Sequence, residues 1–180
     1  MKRLFMSACV IAALLAAPAY AMLTVGAKAP DFKARASLGG KQFDFSLADA
    51  LKKGPVVLYF YPAAFTPGCT LEANNFATAM DDFEKMGATV IGVSADNIET
   101  LDRFSLTECR SRFPVAADAD TRIMKSYDAV STGRPDRASR TSYVISPAGQ
   151  IVYAYTNPDY SDHTKNTMDA VQKLVGGQKK

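Results

Sequence analysis

The 180-residue chain carries 21 Lys and Arg against 18 Asp and Glu, a formal net charge of +3, with no long run of either sign. That balance gives no electrostatic case for nucleic acid or an anionic membrane surface as a partner. No Cys/His cluster has zinc spacing, and the isolated Gly26, Gly39 and Gly40 match no phosphate loop, so neither a metal nor a bound organic cofactor is expected.

The chain opens with Met1-Lys2-Arg3, an apolar run from Leu4 to Ala17, and Pro18-Ala19-Tyr20-Ala21. This is a basic start, a hydrophobic centre and a small-x-small cleavage site, the pattern of a signal peptide over 1–21. The run is shorter than the roughly 20 residues that cross a bilayer, so the prediction is removal and export to the periplasm, with no membrane attachment afterwards. Cys9 lies too close to Arg3 to serve as a lipid-attachment site. The remaining 22–180 form a length suited to one domain with its own core.

After an irregular Leu23 to Pro30, two short strands (Phe32 to Ala36, Lys41 to Phe45) flank Gly39-Gly40 and predict an N-terminal hairpin. Ser46 with Asp49 reads as a cap opening a short helix through Leu51, which Gly54-Pro55 ends. Val56 to Tyr61 is a continuous apolar and aromatic run, as in a central strand covered on both faces. A helix follows, with Cys69, Ala73, Phe76, Met80 and Phe83 on one face and Gly87 at its end. Thr89 to Val93 is the next buried strand, which predicts a parallel crossover. A helix from about Asn97 to Glu108 comes next; Cys109, three turns after Ile98, is expected on its inward face. A short strand at Val115-Ala116, a helix from Thr121 to Tyr127 and a polar loop from Ser131 to Ser139 lead to a second hairpin, Thr141 to Ile145 with Ile151 to Tyr155. A last helix from Asp162 to Val175 turns Met168, Val171 and Val175 inward. The expected fold is an α/β sandwich with a central mixed sheet flanked by helices.

Past residue 21 the cysteines are Cys69 and Cys109. A structural disulfide across that spacing would stabilise by about 4 kcal/mol through loop entropy, so a plain staple is a sound alternative to catalysis. The surroundings of Cys69 argue for chemistry. It stands in the first turn of a helix after a buried strand, where free N–H groups and the positive dipole end favour a thiolate nucleophile. Thr66, three residues earlier, has a hydroxyl able to reach the sulfur or an incoming oxygen. Pro62 brings a rigid wall that carries no donor. Taken singly, these two residues read as a cap and a turn.

Together they form Pro62-x-x-x-Thr66-x-x-Cys69, within Thr66-Pro67-Gly68-Cys69-Thr70-x-Glu72-Ala73, and here the chain resembles the peroxiredoxins, most closely the Q-type or bacterioferritin comigratory protein subgroup. Gly26-x-x-Ala29-Pro30-x-Phe32 and Arg140-Thr141-Ser142-Tyr143-Val144-Ile145 extend the likeness over most of 22–180. The resemblance implies a thioredoxin-like fold and a thiol peroxidase that reduces hydrogen peroxide and organic hydroperoxides. It implies Cys69 as the attacking sulfur, Thr66 and backbone N–H groups holding the oxygens, Pro62 excluding water and Arg140 stabilising charge. It also implies a thioredoxin-like or other dithiol reductant as partner; the sequence leaves monomer and homodimer both open. Glu72, one turn from Cys69, would oppose a thiolate unless a cation such as Arg140 neutralises it.

One position departs from the subgroup pattern: Asn74 stands where a resolving cysteine is common. Cys109 is then assigned as resolver, with a one-cysteine or intersubunit mechanism as the alternative. His163, remote in sequence, reads as structural or surface. A thioredoxin-like thiol-disulfide oxidoreductase is the other enzymatic reading. It would need a cysteine at position 66, where Thr66 stands.

Overall fold

The computed structural model describes residues 22–177, so the expected signal segment lies outside the described residues. The first hairpin is β1 (Lys33–Leu38) against β2 (Lys41–Ser46), two residues longer in all than the apolar pattern marks. Its turn is Gly39-Gly40 with φ of 56° and 76°, left-handed at both central positions, as a tight two-residue hairpin requires. Ser46 caps α1 (Leu47–Leu51), its hydroxyl accepting from the Asp49 N–H.

The centre is a parallel unit. Strand β3 (Val56–Phe60) leads through α2 (Pro67–Lys85) to β4 (Thr89–Ser94), and α3 (Ile98–Thr107) leads to β5 (Val115–Ala117). The short α4 (Arg122–Ser126) follows. The stretch expected as a polar loop instead folds into a small antiparallel ribbon, β6 (Val130–Ser131) with β7 (Arg134–Ala138). Its pairing is carried by backbone with no apolar alternation, so the side-chain pattern gave no sign of it. The second large hairpin, β8 (Thr141–Ile145) and β9 (Ile151–Thr156), precedes α5 (His163–Gly177).

Seven strands form one sheet in the order β2-β1-β5-β4-β3-β8-β9; β3, β4 and β5 run parallel and their neighbours antiparallel. This is the mixed sheet expected, and it has a thioredoxin-like arrangement. Period-two alternation along β3 divides the core. Val56, Leu58 and Phe60 join one apolar layer with α1 and α4, while Val57, Tyr59 and Tyr61 join a second with α2, α3 and α5. Both Cys69 and Cys109 lie in the second layer. Phe76 and Phe83 of α2 are fully buried there, each stabilising by roughly 1.5–3 kcal/mol.

Cys109 is placed differently from the expectation. Helix α3 ends at Thr107 with Glu108 as its cap, and Cys109 lies in the following turn, fully buried. Its N–H donates to the Phe104 carbonyl, which keeps the turn folded under the helix end.

Tyr59 lies flat against Gly92 of the neighbouring strand, where an added Cβ would come within 2.7 Å of the ring. The ring is also stacked on Phe76, with centroids 4.5 Å apart, and cannot retreat. Gly92→Ala is therefore expected to destabilise by about 1–3 kcal/mol, read as a lower urea midpoint with an unchanged slope.

Candidate active site

The chain leaves β3 through Tyr61, whose N–H donates to Val93, and turns at Pro62 to Thr66 before entering α2. The turn is pinned by Asp96, which accepts from the Ala64 N–H at 2.7 Å and from the Ser94 hydroxyl at 2.8 Å. Phe65 has φ of 62°, a left-handed conformation that is costly for an aromatic residue. Its ring is held edge-on to Phe104 at 5.2 Å. Thr66 is the extended N-cap residue and Pro67 occupies the first turn, where its missing N–H costs nothing. The Thr66 hydroxyl donates to the Ala63 carbonyl at 2.9 Å rather than to sulfur. Its lone pairs are left to accept from another group.

Cys69 is one percent exposed, in the part of α2 whose N–H groups have no acceptor within the helix. Arg140, just ahead of β8, donates from Nη2 to Cys69 Sγ at 3.5 Å, from Nε to the Pro158 carbonyl at 3.0 Å and from Nη1 to Glu72 Oε2. Gly68 makes this approach possible, since a Cβ there would lie 3.1 Å from Nη2. Burial opposes a charged guanidinium, but Glu72 and Cys69 outweigh it and raise the Arg140 pKa. The fold thus brings Cys69, Arg140 and Glu72 into one buried cluster at the end of the Pro62–Thr66 turn. Cys109 stays apart from it, and both thiols are unbonded.

Glu72 is fully buried, and that burial pushes its carboxyl up to about 8 against the pull of Arg140. Oε2 accepts from Arg140, whereas Oε1 has no hydrogen-bond partner. Facing Oε1 at 3.7 Å is Nδ1 of His163, so of its two expected places, structural or surface, the buried one holds. His163 is fully buried beside the cluster, at the start of α5. Its Nε2 contacts the Asn157 carbonyl at 3.0 Å, which can only accept, so Nε2 carries the hydrogen and Nδ1 accepts from the Ser142 hydroxyl at 2.8 Å. Burial, first of all, lowers its pKa and keeps the ring neutral. The available signal was spacing: His163, Thr167 and Val171 recur every four residues and form the buried face of α5.

Pro62 and Arg140 share the wall of a cleft of about 610 Å³, which Met22, Val130, Ala138 and Pro158 also line. Pro62 also borders a smaller recess with Asp96 and Arg137. Among the described residues, no group of three or more His, Cys, Asp and Glu is placed to hold a metal ion, and no helix is long and apolar enough to cross a membrane.

Residues 25–154 match the AhpC/TSA family. The chain is 34% identical over 154 residues to a putative peroxiredoxin bcp of Helicobacter pylori, covering 83% of this chain and 98% of that one. Among solved structures, peroxidoxin BcpB of Mycobacterium tuberculosis superposes with a TM-score of 0.76 at 25% identity, over 83% of this chain and 97% of the other. Peroxiredoxin Q of Xanthomonas campestris does so with a TM-score of 0.69 at 29% identity, over 78% and 90%. With a thioredoxin-like sheet, a helix-start cysteine under an arginine and a family match over most of its length, the chain belongs to the AhpC/TSA family and is a peroxiredoxin of the Bcp/Q type.

Proposed function

We propose that this peroxiredoxin reduces hydrogen peroxide and organic hydroperoxides at Cys69, is resolved by Cys109 and is recycled by an exported dithiol reductant. The observation that carries the reading is the Arg140 guanidinium bonded to the Cys69 sulfur at the start of α2. A cation and free helix N–H groups at one sulfur stabilise the charge that develops as it attacks.

The Cys69 sulfur attacks the distal oxygen of the hydroperoxide in line with the O–O bond. That bond breaks, the sulfur becomes a sulfenic acid and the other oxygen leaves as water or an alcohol with the thiol's proton. Thr66, having given its hydrogen to Ala63, offers lone pairs to the hydroperoxide O–H, and Arg140 neutralises charge on the departing oxygen. Pro62 walls off water at the edge of the cleft, whose apolar residues Met22, Val130 and Ala138 suit the carbon chain of an organic hydroperoxide. The sulfenic acid then condenses with the Cys109 thiol, releasing water and forming a disulfide for a thioredoxin-like dithiol to reduce. Cys109 must leave its buried turn for this step, which calls for local unfolding. The same burial, with Glu108 adding to it, raises the Cys109 pKa, so its thiol is an inert neutral group while the turn is closed. Export rests on the basic and apolar pattern of 1–21.

Cys69→Ser is expected to abolish peroxide consumption with dithiothreitol as reductant, and retained turnover would overturn the assignment. Arg140→Met is expected to slow Cys69 oxidation by roughly 10²–10³-fold while circular dichroism shows the fold kept.

Glu72 gives a pH signature. Its carboxyl ionises at about 8 in the folded chain against an ordinary 4.5, so the folded state holds a proton that the unfolded state loses between those values. The stability this provides is complete below the lower value and disappears as pH rises through the upper one. Glu72→Gln, which fixes the neutral form, is expected to gain stability relative to wild type between about pH 5 and pH 9 in urea titrations. A pH-independent difference would show that the carboxylate is ionised throughout.

A further inference from the structure

Asn74, at the position where a resolving cysteine is common in the subgroup, fastens the segment that carries Cys109. Its side-chain N–H₂ donates to the Thr70 carbonyl of its own helix at 2.8 Å and to Glu108 Oε2 at 3.3 Å. Its oxygen accepts from both Nε and Nη2 of Arg110, at 2.9 and 2.6 Å. One half-buried amide on α2 thus grips the residues on either side of Cys109. Arg110 reaches one turn further along α2 to the Thr78 hydroxyl at 3.4 Å.

The segment so held has a conformation that resists closure. Arg110 and Ser111 have φ of 50° and 56°, two consecutive non-glycine residues in the left-handed region. Beneath the turn, the buried hydroxyls of Tyr59 and Tyr61 have no hydrogen-bond partner, and these rings pack against Phe113 and Phe104, which flank Cys109. Opening the turn relieves the backbone and lets water reach the hydroxyls, whereas the Asn74 contacts work only while it is closed.

Resting on the resolving role proposed for Cys109, we infer that Asn74 is a positioning residue for resolution: its grip on Glu108 and Arg110 holds the Cys109 turn shut and sets how readily Cys109 reaches the Cys69 sulfenic acid. The consequence is a partition. The sulfenic acid either condenses with Cys109, losing water, or meets a second hydroperoxide, which transfers one oxygen to give a sulfinic acid and leaves as water or an alcohol. A tighter latch favours the second branch and a looser one the first.

Two substitutions move the latch in opposite directions. Asn74→Ala removes the grip, and disulfide formation after one equivalent of hydrogen peroxide is expected to be about two- to tenfold faster than in wild type, the effect of one or two net hydrogen bonds. Ser111→Gly removes part of the cost of the left-handed backbone, steadies the closed turn and is expected to slow that step by a similar factor. The rate of first oxidation at Cys69 is expected to be the same in all three proteins. Amide hydrogen exchange of the 109–112 segment should speed up in Asn74→Ala and slow in Ser111→Gly. Mass spectrometry at excess peroxide should show less sulfinic acid in the first and more in the second. Shifts in exchange confined to the 109–112 segment distinguish the latch from a general change in stability, which would alter exchange throughout the core. Wild-type protein that forms no Cys69–Cys109 disulfide would overturn the resolving role and this inference with it. A disulfide that forms in Asn74→Ala at the wild-type rate would overturn the inference alone.

Discussion

A single guanidinium organises the end of the molecule where α2 begins. Arg140 stands before β8, yet its donors reach α2 through Cys69 and Glu72 and the chain after β9 through Pro158. Three segments remote in sequence therefore meet at one planar group whose donors point in fixed directions, which a flexible ammonium would not reproduce. The constraint extends outward. Gly68 must lack a side chain so that the guanidinium can approach, and Glu72 must be buried to meet it from below.

Burying Glu72 creates the next requirement. Removing a carboxyl from water costs more than one arginine contact returns, so the group takes up a proton more readily and presents an oxygen without a partner. His163 closes that side of the pocket as a neutral ring, fixed by the Asn157 carbonyl and the Ser142 hydroxyl. The Cys69 sulfur consequently sits at one end of a line through Arg140 and Glu72 to His163, in which Arg140 is the only member with a permanent charge.

The two cysteines share an apolar layer and are kept apart within it. Cys69 is held by the helix start and by Arg140, whereas Cys109 is held by a turn beyond α3 whose backbone is strained at two successive residues. The layer contains the stacked Tyr59 and Tyr61, whose rings fill space well and whose hydroxyls are left unsatisfied. A well-bonded half around Cys69 and a more strained neighbouring half around Cys109 coexist on one face of the sheet. Local stability is drawn from the same balance of packing and polar satisfaction in both, and it is lower where that balance is poorer.

Much of this was legible in the sequence. The continuous apolar run at β3, the apolar stripe of α2 and the glycine turn of the first hairpin each follow from local periodicity or backbone freedom, and all three appear where expected. The Pro62-Thr66-Cys69 spacing located the helix-start cysteine, because a cap, a first-turn proline and the thiol are set within a single turn of chain. Tertiary structure decided the rest. The β6–β7 ribbon is a matter of backbone pairing between polar residues, and Cys109 lies in a turn beyond α3 because the helix ends at Thr107, one residue before the expected Glu108, as helix termini depend on what they pack against. The spacing of His163, Thr167 and Val171 marks a buried face of α5, but what that face meets was decided by α5 packing on α2 beside Glu72, two segments remote along the chain. The sequence by itself determined the family, the sheet and the place of Cys69 at a helix start, for these are written in spacing and pattern. Which polar groups are hydrogen-bonded, which are left without partners and what holds each cysteine were decided by contacts between distant segments, which only the folded chain brings together.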